Sequence, residues 1–359
     1  MTQRDENMGL EGDDGTPGGG GGGGGWFHSG GHRDDDNDNR RESKGGFLSW
    51  LILAGKYGSL YLGTVLVLGE ISERWHRALY PLDHDDHVAA EQLQVGIVIP
   101  VLNEESTIGS TLQYLELLEP KPHQVIVVDG GSTDRTLELV RRQNGQGKKS
   151  VVLVRTDEPG RAIQMNRGAH ECTGQALVFL HSDTVPPRNV VNLVRRTLSD
   201  PAVVLAGFTP LLTSPAKTWW FMSAHNLVSS YLYPALLEPL NYIRGMRLLF
   251  GDQAMFCRKA DFDAVKGFDP KLKLMEDADL CVRMFQHGRR PRAREAFGRG
   301  ARKIRVLPKV VDSSGRRFER WGNVKSTYIH FRIALAWYAQ KDPAEVRRLY
   351  DELYGEIRE

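Results

Sequence analysis

A chain of 359 residues with 40% hydrophobic and 26% charged side chains can bury a full core, which excludes a wholly disordered protein and leaves room for one large domain or two small ones. The formal net charge of +2 is unevenly spread: residues 1–46 hold 5 Lys/Arg against 10 Asp/Glu, so the excess of positive charge sits on the remainder. Cys172, Cys257 and Cys281 are far apart with no Cys-x-x-Cys spacing, which excludes a zinc ribbon or a disulfide scaffold and leaves core thiols.

Residues 1–46 combine a glycine tract, Gly18 to Gly25, with Asp, Asn and Arg, and such a composition predicts a disordered tail. From Phe47 to Gly69 the chain is apolar apart from Lys56, and as a helix these residues would reach about 35 Å, enough for a bilayer core. A single transmembrane helix is expected there, the alternative being a long amphipathic helix packed on the domain or lying in the interface. Lys and Arg are more numerous before this run than after it, which favours a cytosolic N-terminus. Residues 70–92, rich in His and Asp, read as a linker.

Val95 to Val101 is a buried-strand pattern running into Leu102-Asn103-Glu104, and Asn103 is expected to cap a helix with Ile108, Leu112 and Leu115 on one face. Gln124 to Asp129 is a second strand, ending in Gly130-Gly131-Ser132-Thr133-Asp134; Ser132 or Thr133 is expected to cap the helix bearing Leu137 and Val140. A third strand, Ala176 to Leu180, ends in His181-Ser182-Asp183. Three polar strand ends on one sheet edge mark the crevice where open α/β sheets bind ligands. Asp183 suits one ligand of Mg²⁺ or Mn²⁺ bridging a diphosphate, or is an ordinary solvated loop acid.

Trp219 to Phe250 is aromatic and apolar, either a buried helical insert or a membrane- or acceptor-facing surface. Gly251-Asp252-Gln253 is a polar turn whose Asp252 and Gln253 suit sugar hydroxyls or a plain hairpin. Glu276-Asp277-Ala278-Asp279 opens a helix continued by Cys281, Met284 and Phe285; acids there follow from the helix dipole alone, or Asp277 acts as a general base positioned by Glu276. Between His287 and Lys325 stand 13 Lys/Arg against three acids, a belt for solvent, a diphosphate or an anionic lipid, with Arg316 and Arg317 suited to phosphate oxygens. No nucleic-acid signature accompanies it. A C-terminal amphipathic helical segment, 312–359, ends the chain.

Taken together, Ile-Pro-x-x-Asn-Glu at 99–104, Val-Asp-Gly-Gly-Ser-Thr-Asp at 128–134, the acid at 183 and Glu-Asp at 276–277 resemble family 2 glycosyltransferases of the GT-A fold. The likeness is strongest to a bacterial-type subgroup with Gly-Arg-Ala-x-Gln-Met-Asn, here 160–166, Gly-Asp-Gln, here 251–253, and a Gly-Arg-Arg-Trp-like motif, here 315–318. The resemblance implies an α/β domain over 93–311 with a mixed, mainly parallel sheet flanked by helices. It also implies a nucleotide-sugar donor and inversion at the anomeric carbon.

Under that resemblance Asp129 and the loop from Pro100 to Glu104 contact the nucleoside, with Gly130, Ser132 and His181 in the same donor set. Arg161, Gln164 and Asn166 would line the donor pocket, Asp183 would bind the metal, Arg316 and Arg317 would hold the pyrophosphate, and Asp277 would be the base. The acceptor is an unspecified hydroxyl, with a membrane as the expected setting. His181 stands where the family's Asp-x-Asp has its first acid, Phe318 replaces a Trp, and Arg289 to Arg305 is longer and more basic than the subgroup's loop. Rival readings are a nucleotidyltransferase, which lacks a glycine-rich basic loop at the first strand here, and a binding protein without catalysis. No Gly-x-Gly-x-x-Gly follows that strand, which argues against a dinucleotide dehydrogenase.

Overall fold

In a computed structural model the described residues are 92–144, 151–287, 303–339 and 343–354. The expected tail, the 47–69 span, nearly all of the linker and most of the basic 289–305 insert lie outside them.

Eight strands form one sheet: β1 (Val95–Val101), β2 (Gln124–Asp129), β3 (Val151–Arg155), β4 (Ala176–Phe179), β5 (Thr184–Val185), β6 (Val203–Thr213), β7 (Phe256–Arg258) and β8 (Lys303–Ser314). Their order is β3-β2-β1-β4-β7-β6-β8-β5. The β3-β2-β1-β4 half is parallel throughout; β7 runs antiparallel to both β4 and β6, and β8 returns parallel to β6. The sheet is therefore mixed and mainly parallel, as the resemblance implied. β8 spans the domain boundary expected at 311.

Burial on both faces explains the near-continuous Val/Ile/Leu runs. Ile97, Ile99 and Val127 point to one layer with α1 (Ile108–Leu115) and α4 (Val190–Leu198), while Val98, Ile126 and Val128 point to the other with α3 (Arg161–Glu171) and α8 (Glu276–His287). α2 (Thr136–Asn144) and α7 (Lys259–Ala264) complete these layers. Beyond them lie α5 (Trp220–Leu237), the short α6 (Pro239–Ile243), α9 (Arg316–Tyr338), bent at Gly322, and α10 (Pro343–Tyr354). The expected buried insert is thus only half buried: Met222, Ser229 and Ala235 of α5 face inward, while Trp220 and Phe221 are exposed.

The three cysteines are free and buried, and burial pushes all three thiols up. Among the described residues no helix is long and apolar enough to cross a membrane.

Candidate active site

Since β2, β1 and β4 are parallel neighbours, their carboxyl ends lie side by side, and the loops that follow are tied to one another. The Asn103 N–H donates to Ser132 Oγ at 2.9 Å, Thr133 N–H to Asn103 Oδ1 at 2.8 Å, and Glu104 N–H to Thr136 Oγ1 at 2.8 Å. Asn103 sits at φ +56, a left-handed turn that Asn tolerates. These bonds correct the expected caps. Asn103 does not cap α1, whose N-cap position is Thr107, and at α2 the capping oxygen is Asp134 Oδ1, which accepts from Thr136 N–H at 3.0 Å. Ser132 and Thr133 are occupied across the loop instead.

Asp129 is fully buried, and its carboxylate accepts from Ser132 N–H at 3.1 Å and Gly131 N–H at 3.2 Å, with Arg155 Nε at 3.6 Å. Gly131, at φ +99, supplies the turn that brings these amides round. Asp129 therefore builds the loop that frames the crevice.

At the β4 end, Asp183 Oδ2 accepts from Arg316 Nη2 at 3.2 Å, and the same nitrogen lies 3.3 Å from Glu104 Oε2. Arg316 also donates to Ser106 Oγ at 3.4 Å and to Ser314 Oγ at 3.1 Å, so one guanidinium joins the ends of β1, β4 and β8. Its partial burial works against the charge, but Glu104 and Asp183 outweigh it and raise the guanidinium above its ordinary range. Thr107 Oγ1 donates to Glu104 Oε2 at 2.8 Å and holds that carboxylate in place. Among the described residues no group of three or more His, Cys, Asp or Glu is arranged for a metal. Two carboxylate oxygens, Glu104 Oε2 and Asp183 Oδ2, do converge on one cationic nitrogen of Arg316. A divalent ion fits if substrate oxygens complete its shell. Arg317 opens α9 beside Arg316, and its side chain lies outside the described residues.

The second acidic pair stands at the start of α8. Met275, at φ +59, turns the chain sharply into Glu276, a backbone state costing a non-glycine residue roughly 1–2 kcal/mol. Both acids are buried, and Arg161 Nη1, from the first turn of α3, reaches Glu276 Oε1 at 3.3 Å. Asp277 Oδ2 accepts from Gly251 N–H at 2.7 Å and Oδ1 from Ala278 N–H at 3.1 Å. Burial, reinforced by Glu276 and only partly offset by Arg161 and by the backbone amides of Asp277 and Gly251, pushes the Asp277 carboxyl up to about 7. A Cβ on Gly251 would stand 2.5 Å from His181 Nε2 and 3.7 Å from Asp277 Oδ2, so a larger residue on this turn would have to push the His181 ring aside.

Three residues expected to touch a donor have other partners. The Gln164 amide donates to the Val101 and Val128 carbonyls, both at 2.8 Å, and ties the ends of β1 and β2; Gly130 packs on that amide. Asn166 clamps Phe268 through both its amide groups. Gln253 is fully buried and accepts from Phe250 N–H at 2.8 Å. In these contacts each supports the walls of the crevice. Pro100 lies within β1, in register with Val128. Asp252 accepts from Asn226 Nδ2 of α5 at 2.5 Å, which brings the insert to the site. Arg155, Thr107 and Asn226 carry no local signal in the sequence, whereas Gly251 stands inside the Gly-Asp-Gln motif, where its polar neighbours carry the stronger signal.

A model of the family described as "Glycosyl transferase family 2" matches residues 96–262. The chain is 31% identical over 200 residues to a PGL/p-HBAD biosynthesis glycosyltransferase of Mycobacterium bovis (BCG / Pasteur 1173P2), covering 53% of this chain and 69% of that protein. It is 28% identical over 123 residues to the glycosyltransferase AglE of Haloferax volcanii, covering 34% and 40%. It spans about two fifths of the length of several other curated relatives as well. Among solved structures, the mannosyltransferase PcManGT from Pyrobaculum calidifontis, in complex with GDP-Man and Mn²⁺, has the same fold at TM-score 0.54 and 19% identity, over 85% of this chain and 81% of that one.

Proposed function

This chain belongs to glycosyltransferase family 2, and we propose on that premise that it transfers a sugar from a nucleotide-sugar donor to an acceptor hydroxyl, with inversion at the anomeric carbon. The observation that carries this reading is Asp277: a buried carboxylate, aimed by the Gly251 N–H, on the same sheet edge as the cation-holding pair Glu104 and Asp183.

In the proposed reaction Asp277 takes the proton of the acceptor hydroxyl as its oxygen bonds to the anomeric carbon. The opposite carbon–oxygen bond breaks, and its electron pair leaves with the nucleoside diphosphate. A pKa near 7 suits that task, since the group is basic enough to accept a proton yet ionised in a useful fraction at neutral pH. Glu276, paired with Arg161, keeps a second negative charge beside the base and fixes the α8 start. Arg316 is placed to leave the carboxylates and meet the departing diphosphate. Mg²⁺ or Mn²⁺ held by Asp183 would supply Lewis-acid stabilisation of that leaving group.

The apolar run 47–69 supports attachment to a membrane by a single span, the Lys and Arg ahead of it support a cytosolic N-terminus, and an acceptor carried at a membrane would suit that setting. Resistance of the chain to alkaline carbonate extraction would bear this out, and full release would refute it. The transferase reading is tested by thermal shift of the full chain against UDP, GDP and dTDP sugars with and without Mn²⁺. A rise in Tm confined to one base, and larger with Mn²⁺, is expected; no rise with any of them contradicts a donor site.

A further inference from the structure

α9 has three flanks. Ile329, Ile333 and Ala336 pack with Val346 of α10. Thr327 and His330 face α5, where Thr327 approaches Met222 and the His225 and His330 rings lie 6.0 Å apart. The third flank carries Val324, Tyr328, Phe331, Leu335 and Tyr338, an apolar row at helical spacing that is exposed from end to end, Val324 at 85%. The row does not stop at the helix end. The Tyr338 hydroxyl donates to the Leu237 carbonyl at 2.8 Å, and beside that residue Leu236, Leu240 and Ile243 are also exposed. At its start α9 carries Arg316 of the site, with Phe318 buried against Trp219 and Trp220 exposed beside them. The exposed apolar surface runs along the outward flank of α9 and onto the α5–α6 junction.

Its charges are one-sided. Between Gly322 and Ala339 there is no acid, while Lys325 and Arg332 are exposed, and Trp219 to Phe250 contains Glu238 alone, against exposed Arg244. The tyrosine and tryptophan rings have a polar tip at the edge of an apolar body, and Arg332 donates to the Tyr328 hydroxyl at 2.6 Å. Aliphatic side chains framed by such rings and by cations match a headgroup boundary with negative charge. A second copy of the same face would set these cations against each other.

We propose that the outward face of α9 together with the α5–α6 junction is the docking surface of this enzyme for an anionic lipid bilayer. It deepens the transferase reading by naming the plane from which an acceptor hydroxyl arrives at Asp277. Since it is read by position and not by turnover, it stands or falls separately from that reading and from any span at 47–69.

The test uses the full chain in vesicles. All three native cysteines are buried, so Phe331→Cys, Leu240→Cys and, at the far side of the sheet, Leu117→Cys can each take an environment-sensitive fluorophore. In phosphatidylcholine vesicles with added phosphatidylglycerol, the labels at 331 and 240 should shift to the blue, lose access to aqueous iodide and be quenched by spin-labelled lipid, while the label at 117 stays aqueous. Phe331→Ser with Leu335→Ser should reduce the shift at 240, with partition falling roughly tenfold per side chain removed. Labels at 331 and 240 that stay open to iodide on anionic vesicles overturn the proposal. So does protection without lipid that rises with protein concentration, because a second copy then covers the face.

Discussion

Replacing Asp277 by Asn separates the two consequences of its burial. The Asn carbonyl oxygen can still accept from Gly251 N–H, but its amide nitrogen cannot accept from Ala278 N–H, and one unsatisfied buried donor costs about 1–3 kcal/mol. Against this stands the cost of ionising the wild-type carboxyl. With a folded pKa of about 7 and an unfolded value near the ordinary 3.9, the native state holds more protons than the unfolded state between those limits. Wild-type stability therefore falls as pH rises through that window and levels off above 7. From pH 5 to pH 7 the loss from this group is about 2–3 kcal/mol at 1.36 kcal/mol per unit. The assay is thermal unfolding of both proteins from pH 5 to pH 8, taken as a difference so that other titrating groups cancel. Asn should be the less stable protein at pH 5 and gain on wild type by several degrees at pH 8, while turnover falls about 10²- to 10⁴-fold with donor binding retained. A Tm difference that does not change with pH would refute the buried, proton-holding Asp277 on which the base assignment rests.

Turnover of the wild type should rise with pH through about 7 as Asp277 ionises, and a flat profile from pH 5.5 to 8.5 would contradict this. Arg316→Ala should weaken nucleoside diphosphate binding roughly 10- to 100-fold by loss of charge-assisted bonds, while Mn²⁺ alone binds Asp183 and Glu104 at least as well; calorimetry reads both arms. For Asp183→Ala the Mn²⁺ enhancement of diphosphate binding should vanish, and equal affinity with and without the substitution would remove the metal from this residue. Gln164→Leu leaves the Val101 and Val128 carbonyls without their side-chain donor and should cost about 1–3 kcal/mol of stability, measured by denaturant unfolding.

Much of this was legible in the sequence because parallel strands announce themselves. The Val/Ile runs before Asn103, Asp129 and Asp183 are buried on both faces, so their polar ends had to share one edge, and they do. Motif order then pointed to Glu276 and Asp277. What was not legible depends on contacts across the sheet. Gln164 and Asn166 lie in a recognised motif, but nothing local tells whether an amide faces a ligand or two orphan carbonyls; only the approach of α3 to β1 and β2, and of Phe268 to Asn166, decides it. Asp129 likewise reads as a projecting strand-end acid until Gly131 folds the following amides back onto it. The caps were misplaced because Asn103 and Ser132 bond to each other's loops, 29 residues apart, in preference to their own helices.

The proposed transfer is tested most directly by incubating full-length wild type and Asp277→Asn with UDP-, GDP- and dTDP-sugars and Mn²⁺ in anionic vesicles, and measuring the nucleotide released. Nucleoside diphosphate from one donor class, at a rate lowered about 10²-fold or more in Asp277→Asn, is the expected result. Release of pyrophosphate, release at the same rate by both proteins, or no release from any donor would contradict it.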